Sequence, residues 1–226
     1  PMRTPHLQAP LDYGCIWPVR NADDVDHALD WLDGYRGPVA IDVETAGLAF
    51  DAPVRLVQFG ADINAFVVDP CQWPELIDRL LKGDRFVVHN AGFDVPHLAR
   101  LTSSTDIVAT VESIARRTVD TMVLSHLVDP RDRADGGIGH GLKALAEHHV
   151  DPNAPDGAAA LKARFRQLGL RPSEGWAAIP RWDSEFVRYA GTDVLLTARL
   201  HRVLTEEVSR LGLDDLAKFE HDVQTV

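Results

Sequence analysis

PVAIDVET, residues 38–45, places two acids in a run that is otherwise apolar and rich in β-branched residues. Val39, Ala40, Ile41 and Val43 describe a buried strand, in which an acid is disfavoured. Positions i and i+2 of a strand project from one face. Asp42 and Glu44 are therefore expected side by side, where repulsion and lost hydration are costly. Two readings of the pair stand at this point. Either a divalent cation offsets the charge, or this face lies open to solvent at a sheet edge.

Outward from this run, VRLVQFGA (54–61) and AFVVDP (65–70) read as strands joined to the first by short loops, and FVVHN (86–90) as a further short strand. Residues 22–33 space Val25, Leu29 and Leu32 at helical intervals. Helices are also expected over 73–82, 93–101, 120–128, 142–149, 158–168 and 184–208. Pro96 is expected only in the first turn of its helix. Residues 1–20 read as an irregular or extended lead-in. The stretches 129–141 and 151–157 read as surface loops because Gly, Pro and Asp crowd them. The expected fold class is α/β, with a mixed sheet first and a largely helical second half.

Two more acids fall at telling positions. Asp94, in VVHNAGFDVPHL, sits where a strand passes into a helix, and by itself reads as a cap or first-turn carboxylate. Tyr189 and Asp193, in RYAGTDVLLTARL, are i and i+4 and share a helix face. Each fragment is weak alone. Their order in one chain is not: D-x-E on the first strand, N-x-x-x-D at a strand–helix junction, Y-x-x-x-D on a late helix.

Composition narrows the function classes. The 226 residues are 45% hydrophobic and 25% charged, enough for a folded core. The net charge of −11 argues against bulk electrostatic attachment to nucleic acid. It leaves room for an enzyme that gathers carboxylates around metal ions. Two cysteines give no disulfide framework, no apolar run reaches the ~20 residues of a membrane span, and no secretory signal is visible. A soluble, reducing, cytoplasmic setting is expected. No Walker loop, G-x-S-x-G, H-E-x-x-H or dinucleotide fingerprint occurs.

The three fragments together resemble the exonuclease motifs of the DEDD superfamily in its tyrosine-bearing branch, with a ribonuclease H-like (DnaQ-like) fold. They are most similar to the 3′–5′ proofreading domain of family A, DNA polymerase I-like polymerases. The resemblance covers roughly residues 38–205. It implies that Asp42, Glu44, Asp94 and Asp193 hold two divalent cations, Mg²⁺ or Mn²⁺, and that Tyr189 orients the attacking water. It further implies that Leu48, Asn90 and Phe93 meet the substrate, although Phe93 equally suits a core position and Asn90 a turn cap. The implied substrate is a single-stranded or frayed 3′ end of DNA, in a bacterial or phage-infected cell. The implied organisation is a lead-in with a short helix over 1–37, the exonuclease domain over 38–210, and a helix at 211–226 leading toward a polymerase domain of the same native chain. An RNase D-like exoribonuclease shares the same acids and tyrosine, and a non-catalytic nucleic-acid-binding module could keep the same fold.

Overall fold

Strand β3 (Val39–Thr45) divides its side chains between two cores. Val39, Ile41 and Val43 join one apolar cluster and Ala40 joins the other, so Asp42 and Glu44 point to the Ala40 side. The computed structural model describes residues 7–8, 14–61, 63–154 and 157–224. Its seven-stranded sheet adds β1 (Leu7–Gln8), β2 (Cys15–Val19), β4 (Val54–Ala61), β5 (Asn64–Val68), β6 (Phe86–Val88) and β7 (Thr118–Asp120). The spatial order is β1-β2-β5-β4-β3-β6-β7. Strands β3, β4 and β5 are antiparallel neighbours, while β3, β6 and β7 run parallel. This is the mixed sheet expected of the α/β class.

Helices cover both faces. On one side lie α1 (Ala22–Gly34), α2 (Pro74–Leu81), α3 (Ala91–Ala99) and α4 (Ile107–Ala115), packed on Phe59, Phe66 and Phe86. On the other, α9 (Ser184–Arg210) crosses the sheet through Val187, Ala190 and Val194, with α7 (Gly157–Gln167) and α8 (Pro172–Ala178) beside it. Each fully buried Phe or Leu contributes on the order of 2 kcal/mol. A third cluster joins the outer half of α9, through Leu200, Leu204 and Val208, to α5 (Thr121–Val128), α6 (Leu142–His149) and α10 (Asp214–Val223).

Gly191 lets α9 lie this close. A Cβ there would stand 2.6 Å from Ile16 Cγ2 on β2.

Several elements depart from the sequence reading. Residues 15–19, assigned to the lead-in, form a strand paired in parallel with β5. Helices α4 and α8 and strand β7 were not anticipated. Helix α3 begins at Ala91, so Pro96 lies inside it rather than in its first turn. Residues 1–6 and 9–13 of the lead-in, 155–156 of the second loop and 225–226 of the final helix lie outside the described residues.

Candidate active site

The site forms where β3 outruns its parallel neighbour. The β3–β6 ladder registers only Val39 and Ala40, and β6 ends at Val88. The Val43 N–H is left without a strand partner and donates instead to Asp94 Oδ1 at 3.0 Å. A buried backbone donor needs an acceptor, and here it fixes Asp94 beside the first acid pair. Asp94 reaches this position from the first turn of α3.

The turn into α3 is sharp. Asn90 adopts the left-handed conformation with φ 77°, the one non-glycine residue with positive φ among the described residues. Asn tolerates that region better than most side chains. Its side chain makes no capping bond, so its contribution to the turn is conformational. The turn is held by Asp120, whose carboxylate accepts the N–H groups of Asn90 (2.9 Å) and Ala91 (2.7 Å) and that of Met122 at the start of α5 (2.8 Å). The Asp120 N–H in turn donates to His221 Nε2 on α10 at 2.8 Å.

From the opposite wall, α9 presents Tyr189 and buried Asp193. Trp176 of α8 meets the Tyr189 ring edge-on, with centroids 5.5 Å apart. Arg55 secures that part of α8 by donating to the carbonyls of Trp176 and Ile179, each at 2.6 Å. All eight residues singled out in the sequence, Asp42, Glu44, Leu48, Asn90, Phe93, Asp94, Tyr189 and Asp193, line one cavity of about 740 Å³. Leu48 stands at its rim, 90% exposed. Phe93 is half-buried against the His97 ring and the apolar core. Arg164, Arg171, Arg181 and Arg188, shortly before or within α9, are in ion pairs with Asp183, Glu174, Asp69 and Glu185 respectively.

The carboxylates are under electrostatic stress. Burial pushes the Asp42 carboxyl up to about 6, against the opposing pull of the Gln58 amide and the Lys143 charge. Glu44 and Asp94 are both raised well above the usual range, by burial first and then by neighbouring carboxylates. Two residues not singled out in the sequence relieve part of this. Gln58, fully buried on β4, donates Nε2 to Asp42 and, at 3.3 Å, to Glu44 Oε1. Lys143 of α6 forms an ion pair with Asp193 and lies over the Tyr189 ring. A glutamine inside the apolar run VRLVQFGA was the available signal for the first. Lys143 had none.

Among the described residues, no group of three or more His, Cys, Asp or Glu side chains is spaced to hold a metal ion. In this arrangement Gln58 donates to one oxygen each of Asp42 and Glu44, and Lys143 to one oxygen of Asp193. The donor set nonetheless suits a hard cation. It consists of oxygen ligands only, its crowded carboxyls raise one another in a way a cation would relieve, and it lines an accessible cavity.

A family model for the 3′–5′ exonuclease domain of A-type DNA polymerases matches residues 18–209. The chain belongs to this exonuclease family. It is similar to the DNA polymerase of Mycobacterium phage D29, at 28% identity over 218 residues, covering 92% of this chain and 35% of that polymerase. The chain thus spans about a third of the length of the curated relatives it matches. Among solved structures, Escherichia coli RNase D, an exoribonuclease involved in structured RNA processing, aligns with a TM-score of 0.66 at 15% identity, over 92% of this chain and 49% of that one. Brucella melitensis NrnC with bound Mg²⁺ aligns with a TM-score of 0.61 at 23% identity, over 93% and 88%. These two likenesses establish the fold of the exonuclease domain. Among its described residues no helix is long and apolar enough to cross a membrane.

Proposed function

We propose that this exonuclease domain removes nucleoside 5′-monophosphates from DNA 3′ ends and serves as the proofreading part of a longer DNA polymerase. The observation that carries the reading is the meeting of four carboxylates and one tyrosine, from three separate sequence motifs, around one cavity. Asp42, Glu44, Asp94 and Asp193 are the ligands for two divalent cations, Mg²⁺ or Mn²⁺. When bound, these ions neutralise charge developing on the phosphate and acidify the attacking water. Tyr189 orients that water through its hydroxyl, with Glu44 as a second acceptor. Leu48, exposed at the rim, packs on the terminal base, a sequence-tolerant contact. Asn90, exposed on its turn, is within the same cavity and available to the terminal sugar. Phe93 supports the cavity floor from the core side.

One consideration favours DNA over RNA. The curated relatives are DNA polymerases, whereas the likeness to RNase D is one of fold at lower identity. A frayed end is preferred because a stacked, paired terminus cannot reach recessed carboxylates.

The test compares 5′-labelled DNA and RNA oligonucleotides, single-stranded and matched duplex, with Mg²⁺, Mn²⁺ or EDTA. A ladder shortening from the 3′ end of single-stranded DNA, abolished by EDTA, is expected. Faster digestion of RNA would favour the exoribonuclease reading. Equal rates on matched duplex and single strand would remove the frayed-end preference. Activity indifferent to EDTA would overturn the metal assignment.

A further inference from the structure

Lys143 is the second residue of α6, and the two residues before it, Gly141 and Leu142, line the cavity wall. Its ammonium bonds Asp193 Oδ1 and lies 5.1 Å from the centroid of the Tyr189 ring. Its charge also acts on Asp42 and Glu44, pulling both carboxyls toward their ionised forms. One cation therefore touches both residues of the third motif and acts on both acids of the first. The side chains of the pair are 27% and 9% exposed.

Resting on the two-cation reading above, we infer that Lys143 is a positioning residue that stands in for a metal ion. Its ammonium holds one oxygen of Asp193, a residue of the proposed metal-ligand set. On loading it releases that oxygen and turns its ammonium to the substrate phosphate.

Charge balance supports this exchange. Once ionised, four carboxylates carry −4, and two divalent cations bring the site to zero. Lys143 then supplies one positive charge, and one phosphodiester brings one negative. Without metal, the same lysine pairs with Asp193 and lowers the cost of charge on Asp42 and Glu44. The chemistry of the side chain suits both positions. An ammonium on a flexible four-carbon stem is a mobile point charge, unlike the planar fork of an arginine. An ammonium and a metal ion held on one carboxylate repel each other, so Lys143 competes with the first metal and assists the substrate.

The test titrates Mn²⁺ calorimetrically, without DNA, into wild type, Lys143→Met, Lys143→Gln and Lys143→Arg. Both uncharged variants are expected to bind Mn²⁺ at least 5-fold more tightly than wild type, and Lys143→Arg within about 2-fold of it. KM for a single-stranded DNA oligonucleotide should rise 10-fold or more in both uncharged variants. A role in packing alone would weaken metal binding or leave it unchanged. If wild type binds Mn²⁺ and the uncharged variants bind it equally or more weakly, the inference is overturned while the metal reading stands. If none of the four proteins binds Mn²⁺, the metal reading itself fails.

Discussion

Gln58 stands opposite Asp42 in the antiparallel β3–β4 pair and donates its side-chain amide to the Asp42 carboxylate. The same nitrogen reaches Glu44 Oε1, so one neutral donor serves both acids of the first motif. Hydrogen bonds to a charged group are worth about 1.5–3 kcal/mol. Gln58→Leu should slow DNA hydrolysis about 10- to 100-fold at neutral pH. The acid limb of the pH–rate profile should also move to higher pH, because the amide, together with the Lys143 charge, draws both carboxyls downward. A profile lowered in height without moving in pH would show that the amide does not tune the acids.

Asp42→Asn separates stability from activity. The folded-state value of about 6 lies above the ordinary 3.8, so the folded protein holds this proton more tightly than the unfolded chain. Stability from this group is complete below about pH 4 and is lost as pH rises through 6. At pH 8 the buried charge costs up to about 3 kcal/mol. With EDTA at pH 8, Asp42→Asn should melt higher than wild type, and the gap should close below pH 4. Mg²⁺ should raise the wild-type Tm more than that of the variant, whose turnover should fall by orders of magnitude. A variant melting lower than wild type at pH 8 would contradict the charge assignment.

His89 carries the opposite sign. Burial holds its imidazole down to about 4, and Nδ1 lies 2.9 Å from Thr121 Oγ1. The unfolded chain binds this proton more readily. The stabilisation is therefore fully present above pH 6.5 and drains away as pH falls toward 4. Between pH 7.5 and 5 the loss amounts to about 2 kcal/mol. Urea unfolding at the two pH values should show wild type losing about that much more than His89→Asn. Equal losses would mean that His89 is protonated in the fold.

Gly191→Ala should displace α9 from the sheet, since the new methyl would meet Ile16 close to its own branch point. Overpacking of this kind costs about 1–3 kcal/mol. Because Tyr189 and Asp193 flank the glycine, kcat should fall further than a Tm change of that size explains. Ile16→Ala in the same protein, which removes both γ carbons, should restore part of both. No recovery in the double variant would place the strain elsewhere.

The acids of the first and third motifs were legible because their signals are local: an acid pair inside a β-branched run, and a tyrosine four residues before an acid on a helix. Elements without a local signal were not. CIWPV at 15–19 carries Pro18, which argues against a strand, yet among the described residues β1 pairs with Cys15 and Ile16 only. IVATVESIA is rich in β-branched residues, which weakens its helical pattern, and β7 is three residues long. Gln58 and Lys143 act on residues 16 and 50 positions away, a relation set by tertiary packing. Asp120 was readable as the cap of α5, but its grip on the Asn90 turn spans 30 residues.

Helix α9 is 27 residues long, or ~40 Å, and Asp193 is its tenth residue. Its outer half leaves the sheet and is clasped by α5, α6 and α10. A rod anchored this way works as a lever: a tilt applied near Arg210, about 25 Å beyond the carboxylate, arrives at Asp193 as a sideways step. Whatever bears on the remote end of α9 thereby gains mechanical leverage over nucleotide removal without entering the cavity.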